Sequence, residues 1–304
     1  MGIFCMISEK NKSREQLILR VNELHHDFVD NYHETNKIMH SYEARNWDSL
    51  LQKFQFKDKK ILEIGTGTGF VPLHMLKRNV GFSTFTCTDI SQKILSLAEQ
   101  KITQENVKHY SFSYVKLEDK KLPFKDNSYD IIVMNSVLHH LPDIDFFYHE
   151  ASRVLKNGGL MVIAHEPNRI FYRNVLIYSI FSSLSFLFSS LGKIKLFILN
   201  KKPESNAMVK YVNTHLIKEK LIAQPLSSKE ISQYIDVQVQ GINYLNYPKF
   251  FKLVLFKSSN YLGSLGFSYS FFPWNLCVSS YNYVLSKIAN KSGMTYTAVY
   301  KNNK

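Results

Sequence analysis

Cysteine is scarce in this chain, and what there is stands alone. Cys5, Cys87 and Cys277 are the three in 304 residues, with no paired spacing and no histidine cluster beside them. That pattern reads against a disulfide framework and a structural zinc, and it points to a reducing compartment. A GxxxxGK[ST] phosphate loop is also missing. No secretory signal is visible, because the opening MGIFCMISEKNKSR turns polar after a handful of apolar residues. The start MGIFC hints at lipidation, yet Met6 stands where the myristoylation pattern wants Ser or Thr. Neither a Pro/Gly/Ser linker nor an internal repeat divides the chain. Its length suits one large domain, or one domain with an appended cap.

Acidic residues thin out in the second half. Up to Ile170 there are 22 Lys+Arg against 21 Asp+Glu, whereas from Phe171 onward the balance is 16 against 4. The net charge of +13 therefore sits almost wholly in the tail, with 24 of the 42 Phe, Tyr and Trp, including GFSYSFFPW at Gly266 to Trp274. Such a surface suits anionic headgroups or nucleic acid, or is a solvated face around an ordinary core.

What is present is concentrated at ILEIGTGTGF, Ile61 to Phe70. An apolar strand pattern runs into Gly65-x-Gly67-x-Gly69, a turn from which every second β-carbon is gone, so that a ligand can approach backbone N–H groups opening a helix. The dinucleotide fingerprint would want its third glycine where Phe70 stands. Glu63, two residues before the first glycine, would welcome a cationic amino-acid group and repel a pyrophosphate. Behind a second apolar run, Asp89 is placed for the two hydroxyls of a ribose.

On these residues the chain resembles the class I S-adenosyl-L-methionine-dependent methyltransferases, whose first motif is an acid, one spacer and Gly-x-Gly-x-Gly. The stretches NSYDIIVMNSVLHHL (Asn127 to Leu141) and RVLKNGGLMVIAHEPN (Arg153 to Asn168) are similar to the small-molecule and lipid branch that includes the quinone-biosynthesis enzymes. The resemblance covers roughly residues 28 to 168. It implies a cofactor site of Glu63, Gly65, Thr66, Gly67 and Gly69, with Asp89 and Ile90 at the ribose. Glu118 and Asp119 come near the adenine, Asp119 replacing the family's usual small residue. Asn135 follows the fourth strand, and Tyr32, in FVDNYHETN, would close over the cofactor or simply pack the cap helix.

The expected fold is α/β: a doubly wound, Rossmann-like, seven-stranded and mostly parallel sheet with an N-terminal helical cap and an inserted helical segment. Strands are expected at Lys60 to Ile64, Thr84 to Thr88, Ser111 to Val115, Asp130 to Met134, Leu160 to Ala164 and Met294 to Lys301, the last after a helix through Tyr281 to Ile288. Ser91 and Asp143 are helix caps, with Ile94, Leu97 and Ala98 sharing one apolar face and Ile144, Phe147, Ala151, Val154 and Leu155 another. Gly158-Gly159 is expected to stop the second of these helices. Gly65, Asp89, Asn135 and His165 then gather at the carboxyl ends of the strands, where ligands bind in such sheets.

The divisions expected are a cap at 1–59, a cofactor-binding core at 60–168, an inserted lid at 169–225 and a C-terminal part at 226–304 that completes the sheet and the substrate side. Asn174 to Gly192 runs 19 residues without a charge. Its serines and its leucines fall on opposite helical faces, which fits a lid or an interfacial helix better than a membrane span. The expected partner is a small-molecule or lipid-like acceptor, with an anionic membrane surface nearby and a cytoplasmic location.

Methyl transfer from a sulfonium needs alignment more than side-chain chemistry, and a base only when the acceptor carries a proton. His139, His140, His165 and Glu166 are the candidates. Against a nucleic-acid substrate, the place where amino-methylating enzymes carry Asn/Asp-Pro-Pro-aromatic reads NSVLHHL, and no Pro-Cys nucleophile is present. A non-catalytic scaffold would be expected to have lost glycines or the ribose acid, and neither is lost.

Overall fold

In the computed structural model, residues 37–105, 110–141, 143–176, 179, 242–259, 291, 293 and 295–304 are described. Tyr32, the helix expected at Tyr281 to Ile288, the cluster Gly266 to Trp274 and nearly all of the uncharged segment beyond Leu176 lie outside them.

The apolar runs become strands close to where periodicity places them: β1 (Lys60–Ile64), β2 (Thr84–Asp89), β3 (Phe112–Lys116), β4 (Tyr129–Asn135) and β5 (Leu155–Pro167), the last starting before the expected Leu160, at Leu155, which the sequence reading gave to the preceding helix. Two more follow, β6 (Phe251–Ser259) and β7 (Thr295–Asn302). The sheet order is β3-β2-β1-β4-β5-β7-β6. The first five strands pair in parallel, and β7 runs antiparallel between β5 and β6. The expected seven-stranded, mostly parallel sheet is what forms. β6 escapes the sequence reading, because FKLVLFKSS carries two lysines in a tail otherwise notable for charge.

Helices cover both faces. On one side α1 (Lys37–Lys53), α2 (Phe70–Lys77) and α3 (Gln92–Thr103) bury Trp47, Leu50, Val71, Met75, Leu95 and Ile102 against Ile61, Ile131, Val133 and Val162. On the other, α4 (Ile144–Val154) buries Phe147, Tyr148 and Ala151 against Leu62, Ile132, Met134, Met161 and Ile163. Both faces of the central strands are apolar for that reason. A short α5 (Arg169–Arg173) follows β5.

Ser91 and Asp143 cap α3 and α4 as expected, accepting from the backbone N–H of Ile94 and Phe146. The inward face of α3 is Ile94, Leu95, Ala98 and Ile102, and Leu97 is only half-buried. Ile144 on α4 is likewise half-buried, while Tyr148 takes an inward place.

Gly158-Gly159 does not stop α4, which ends at Val154. Its last carbonyls are capped from the end of β7 and the residues after it: the Asn302 amide donates to the Ser152 carbonyl at 3.0 Å, and Lys304 Nζ donates to those of Ser152 and Arg153 at 2.6 and 3.0 Å. The glycines serve the entry into β5. Gly158 has φ +76, and a Cβ on Gly159 would stand 2.9 Å from the Lys156 carbonyl oxygen and 3.0 Å from that of Asp130.

The cap helix α1 is bolted to the sheet by polar side chains on its inward face. Asn46 donates to Thr297 Oγ1 on β7 at 2.6 Å, and Trp47 Nε1 donates to Asn135 Oδ1 at the end of β4 at 3.0 Å. The Asp48 carboxylate accepts from His74 at 2.8 Å and from Arg78 twice at 2.7 Å, which ties α1 to α2.

Candidate functional site

The carboxyl end of β1 enters a turn that only glycine fits well. Gly65 has φ +68, and a Cβ there would lie 2.7 Å from a methyl of Val137, in the segment after β4. That separation is below any ordinary carbon contact, so the turn and the post-β4 segment touch backbone to side chain. Gly69, at φ +86, is the N-cap of α2, whose first residue is Phe70. A Cβ on Gly67 would meet nothing within 4 Å, so that side of the turn faces open space.

Hydrogen bonds strap this turn to the end of β2. Thr66 N–H donates to the Thr88 carbonyl at 2.7 Å, Thr88 N–H donates to Thr66 Oγ1 at 3.0 Å, and Thr88 Oγ1 donates to the Glu63 carbonyl at 2.6 Å. Asp89 closes the strap: Oδ2 accepts from Gly67 N–H and Oδ1 from Ser91 N–H, each at 3.0 Å. Ile90 beside it is exposed, and Leu117 N–H donates to the Asp89 carbonyl at 2.9 Å. The exposed Glu118 and Asp119 therefore begin a loop that leaves from the same corner.

Glu63 lies beneath the turn, 1% exposed, with its Oε2 lacking a partner among the described residues. Burial pushes its carboxyl up to about 8, against a helping hydrogen bond from Thr66 and with the Asp89 charge adding to the rise. A neutral carboxyl with one idle oxygen is an unusual thing to bury, and it fits a cationic ligand better than an anionic one.

The second half of the site rests on an irregularity in β5. Ile163 pairs with Ala298, but the next paired residues are Glu166 and Tyr296, so three steps on β5 oppose two on β7. The extra residue is a β-bulge, and His165 within it takes φ +59. A left-handed non-glycine residue costs about 1–3 kcal/mol, which the surroundings must hold in place. Strict alternation would leave Glu166 on the face of Ala164. The bulge turns it instead to the face of Ile163 and Tyr296, and brings His165 Nε2 to 3.9 Å from Glu43 Oε1 on α1.

Glu166 is fully buried there and receives four donors. Oε1 accepts from the N–H groups of Val137 and Leu138 at 2.6 and 2.7 Å; Oε2 accepts from His139 N–H at 3.2 Å and lies 2.8 Å from His139 Nδ1. One carboxylate thus organises the whole 3-10 turn Leu138–His140. The ring of His139 sits on that of His140, with centroids 4.0 Å apart.

Asn135 spends both ends of its amide on α1: Oδ1 accepts from Trp47 and Nδ2 donates to Glu43 Oε1 at 3.3 Å. The expected residues therefore form two adjoining groups, joined where Gly65 meets Val137. Glu63, Gly65, Thr66, Gly67, Gly69, Asp89 and Ile90 make one; Asn135, His139, His140, His165 and Glu166 make the other. Glu43, Asn46 and Trp47 belong with the second group and escape the sequence reading. Their signal was there: with Leu50 they lie on one helical face, where Glu43 and Asn46 interrupt an apolar stripe. Among the described residues no cluster of His, Cys, Asp and Glu could hold a metal ion.

Comparison with known proteins bears on this geometry directly. Residues 62–163 match the family model described as a methyltransferase domain. The ubiquinone/menaquinone biosynthesis C-methyltransferase of Agrobacterium fabrum is 27% identical over 147 residues, 47% of this chain and 56% of that protein. The lovastatin nonaketide synthase mokA of Monascus pilosus is 32% identical over 130 residues, 42% of this chain and 4% of that protein. The chain thus spans little more than half the length of the quinone-biosynthesis relative. A solved SAM-dependent methyltransferase from Methanosarcina mazei aligns over 83% of this chain and 96% of its own, at 17% identity and a TM-score of 0.45.

Proposed function

We infer, from the premise that residues 62–163 are a methyltransferase domain of the class I S-adenosyl-L-methionine-dependent kind, that this protein methylates an apolar or amphipathic small molecule. The observation that carries the reading is the glycine turn itself, open at Gly67, with the Asp89 carboxylate holding the Gly67 N–H beside that open side, where a ribose would lie. The residues fit the cofactor. The buried Oε2 of Glu63, without a partner among the described residues, would hold its ammonium group, and the glycine turn would admit its amino-acid portion. Ile90 would offer an apolar edge, and Glu118 and Asp119, in the loop leaving the Asp89 corner, would come near the adenine. When bound, the cofactor supplies an activated electrophilic methyl group. The chain's own work is to align an acceptor with it and keep water out, and alignment can supply about 7–11 kcal/mol of such a barrier.

Glu63 gives the reading a pH signature. Its folded-state value, about 8, lies above the ordinary 4.5, so the native ligand-free protein holds a proton that the unfolded chain would release. This group's contribution to stability therefore falls as pH rises between those values. A bound ammonium favours the ionised carboxylate, so cofactor affinity is expected to rise from pH 5.5 to 7.5 with release of up to one proton on binding. Calorimetry in two buffers of different ionisation enthalpy measures both. Glu63→Gln should flatten the pH dependence. Absence of binding at millimolar cofactor would sink the methyltransferase reading itself, whereas binding without proton release would remove only Glu63.

The acceptor side draws on the basic, aromatic second half. The name of the Agrobacterium fabrum relative specifies C-methylation in ubiquinone/menaquinone biosynthesis, and a comparable lipid-like acceptor suits this chain. Val175 and Leu176 stand 76% and 71% exposed where the uncharged segment begins, which favours an interfacial lid working at the cytoplasmic face of an anionic membrane. No helix among the described residues is long and apolar enough to cross a membrane. Co-sedimentation with phosphatidylglycerol vesicles, lost at high salt, is the expected result. Equal recovery with neutral vesicles would count against an electrostatic membrane contact.

A further inference from the structure

We propose that His139 is the proton acceptor of the reaction and that Glu166 is the residue that positions it, so that the acceptor is methylated at an atom that must shed a proton. This rests on the methyltransferase reading for its chemistry, but its structural half stands without it. Four residues at the ends of β4 and β5 could in principle act as a base, and their surroundings separate them. Glu166 already takes four donors on two oxygens and is fully buried, so it has no face left for a substrate. His165 is turned by the bulge toward α1 and Glu43. The His140 ring lies tilted against that of His139, one residue farther along the chain from the turn that the carboxylate holds.

His139 has the arrangement a base requires. Its Nδ1 lies 2.8 Å from Glu166 Oε2, and a carboxylate there can only accept, so the ring proton belongs on Nδ1. Nε2, at the opposite side of the ring, is then the unprotonated nitrogen. No hydrogen bond to it is made among the described residues, and the side chain is 9% exposed. The segment carrying this histidine is pressed onto the glycine turn, Val137 lying where a Cβ of Gly65 would be. His139 therefore follows, two residues on, the point at which the cofactor turn and the post-β4 segment meet.

Glu166 fixes more than the tautomer. Its bonds to three successive backbone N–H groups lock the 3-10 turn, so that ring orientation and backbone position are set by one side chain. That carboxylate reaches the turn only because of the bulge at His165, whose left-handed backbone is the strained element of β5. The strain thus has a use: it re-aims Glu166 from one face of the sheet to the other.

The acceptor atom forms its bond to the methyl carbon, the carbon–sulfur pair leaves with sulfur, and the proton from the acceptor passes to Nε2 of His139. The imidazolium so formed faces the Glu166 carboxylate and later yields its proton to water. Phenols, enols and hydroxyl-activated ring carbons have such a proton to lose; tertiary amines and thioethers do not.

Nitrogen-15 NMR on protein labelled at histidine tests this with no acceptor present. The chain has 11 histidines, and the His139 signals are identified by their loss in His139→Gln. At neutral pH, with the demethylated cofactor product added, Nδ1 is expected in the protonated, pyrrole-like range and Nε2 in the unprotonated, pyridine-like range. In Glu166→Gln the carboxamide can turn its N–H toward Nδ1, and the two signatures are expected to exchange. A wild-type His139 protonated on both nitrogens, or on Nε2 alone, overturns the assignment of the base. An unchanged pattern in Glu166→Gln overturns the positioning role. Should that variant fail to fold, the wild-type spectrum still decides the first point. Calorimetric cofactor binding by the wild type keeps the two failures distinct, since it tests the methyltransferase reading alone.

Discussion

Glu166→Ala is expected to lower stability by about 3–5 kcal/mol, the largest loss for any single side chain at the site. Three backbone N–H groups, of Val137, Leu138 and His139, would lose an acceptor that is itself fully buried. Each unsatisfied buried donor costs about 1–3 kcal/mol, and water entering the new space recovers part of the sum. Tyr148 and Tyr296 stand nearby with hydroxyls that have no partner among the described residues, so the gap would be polar enough to admit that water. Glu166→Gln keeps one carbonyl acceptor and should cost about half as much. Urea unfolding of the two variants against wild type measures both. A loss below about 1 kcal/mol in Glu166→Ala would mean that the turn carries itself without the carboxylate.

Asp89→Ala is expected to weaken cofactor binding by about 3 kcal/mol, on the order of 100-fold or more. Loss of charge-assisted hydrogen bonds to a ribose would account for about 1.5–3 kcal/mol. The remainder comes from the protein: Gly67 N–H and Ser91 N–H both lose their acceptor, and the glycine turn is released from the end of β2. Asp89→Asn separates the two parts, since a carboxamide oxygen can still hold one N–H while the charge is gone. Its loss should fall between those of wild type and Asp89→Ala. Calorimetric titration with the demethylated product reads the series, and a wild-type affinity for Asp89→Ala would show that the ribose lies elsewhere.

The two variants probe residues of different legibility. Asp89 could be read from spacing alone, because an acid at the end of the second strand of a βαβ unit faces the same point as the glycine turn, whatever the rest of the chain does. The glycines were equally plain: Gly65 and Gly69 occupy left-handed backbone that few other residues tolerate. Strand ends expected at Ile64, Thr88 and Met134 followed from apolar runs buried on both faces, and each lies within one residue of the observed end. Glu166 was visible as a candidate base, and its actual employment was not. A period of two cannot announce a bulge, so nothing in HEP shows that the glutamate changes faces at His165.

The cap helix is a similar case. Glu43 and Asn46 look like breaks in an amphipathic pattern until Asn135 and Thr297 are known to lie opposite them. Those partners are 92 and 251 residues away. The stop of α4 was misread for the same reason, since a Gly-Gly pair is a local signal and the true caps, Asn302 and Lys304, come from the far end of the chain.

What the sequence determined by itself is the layered α/β fold, the glycine turn and the acid that faces it, because each depends on local backbone sterics and on the periodic burial of apolar side chains. What only the tertiary structure decided is the employment of the polar residues: Glu63 buried with an idle oxygen, Glu166 holding a turn from below, His139 held in one tautomer, Glu43 and Trp47 fastening Asn135. A buried polar group is defined by its partners, and here those partners are brought together by strand pairing and a single extra residue in β5, which no local pattern encodes.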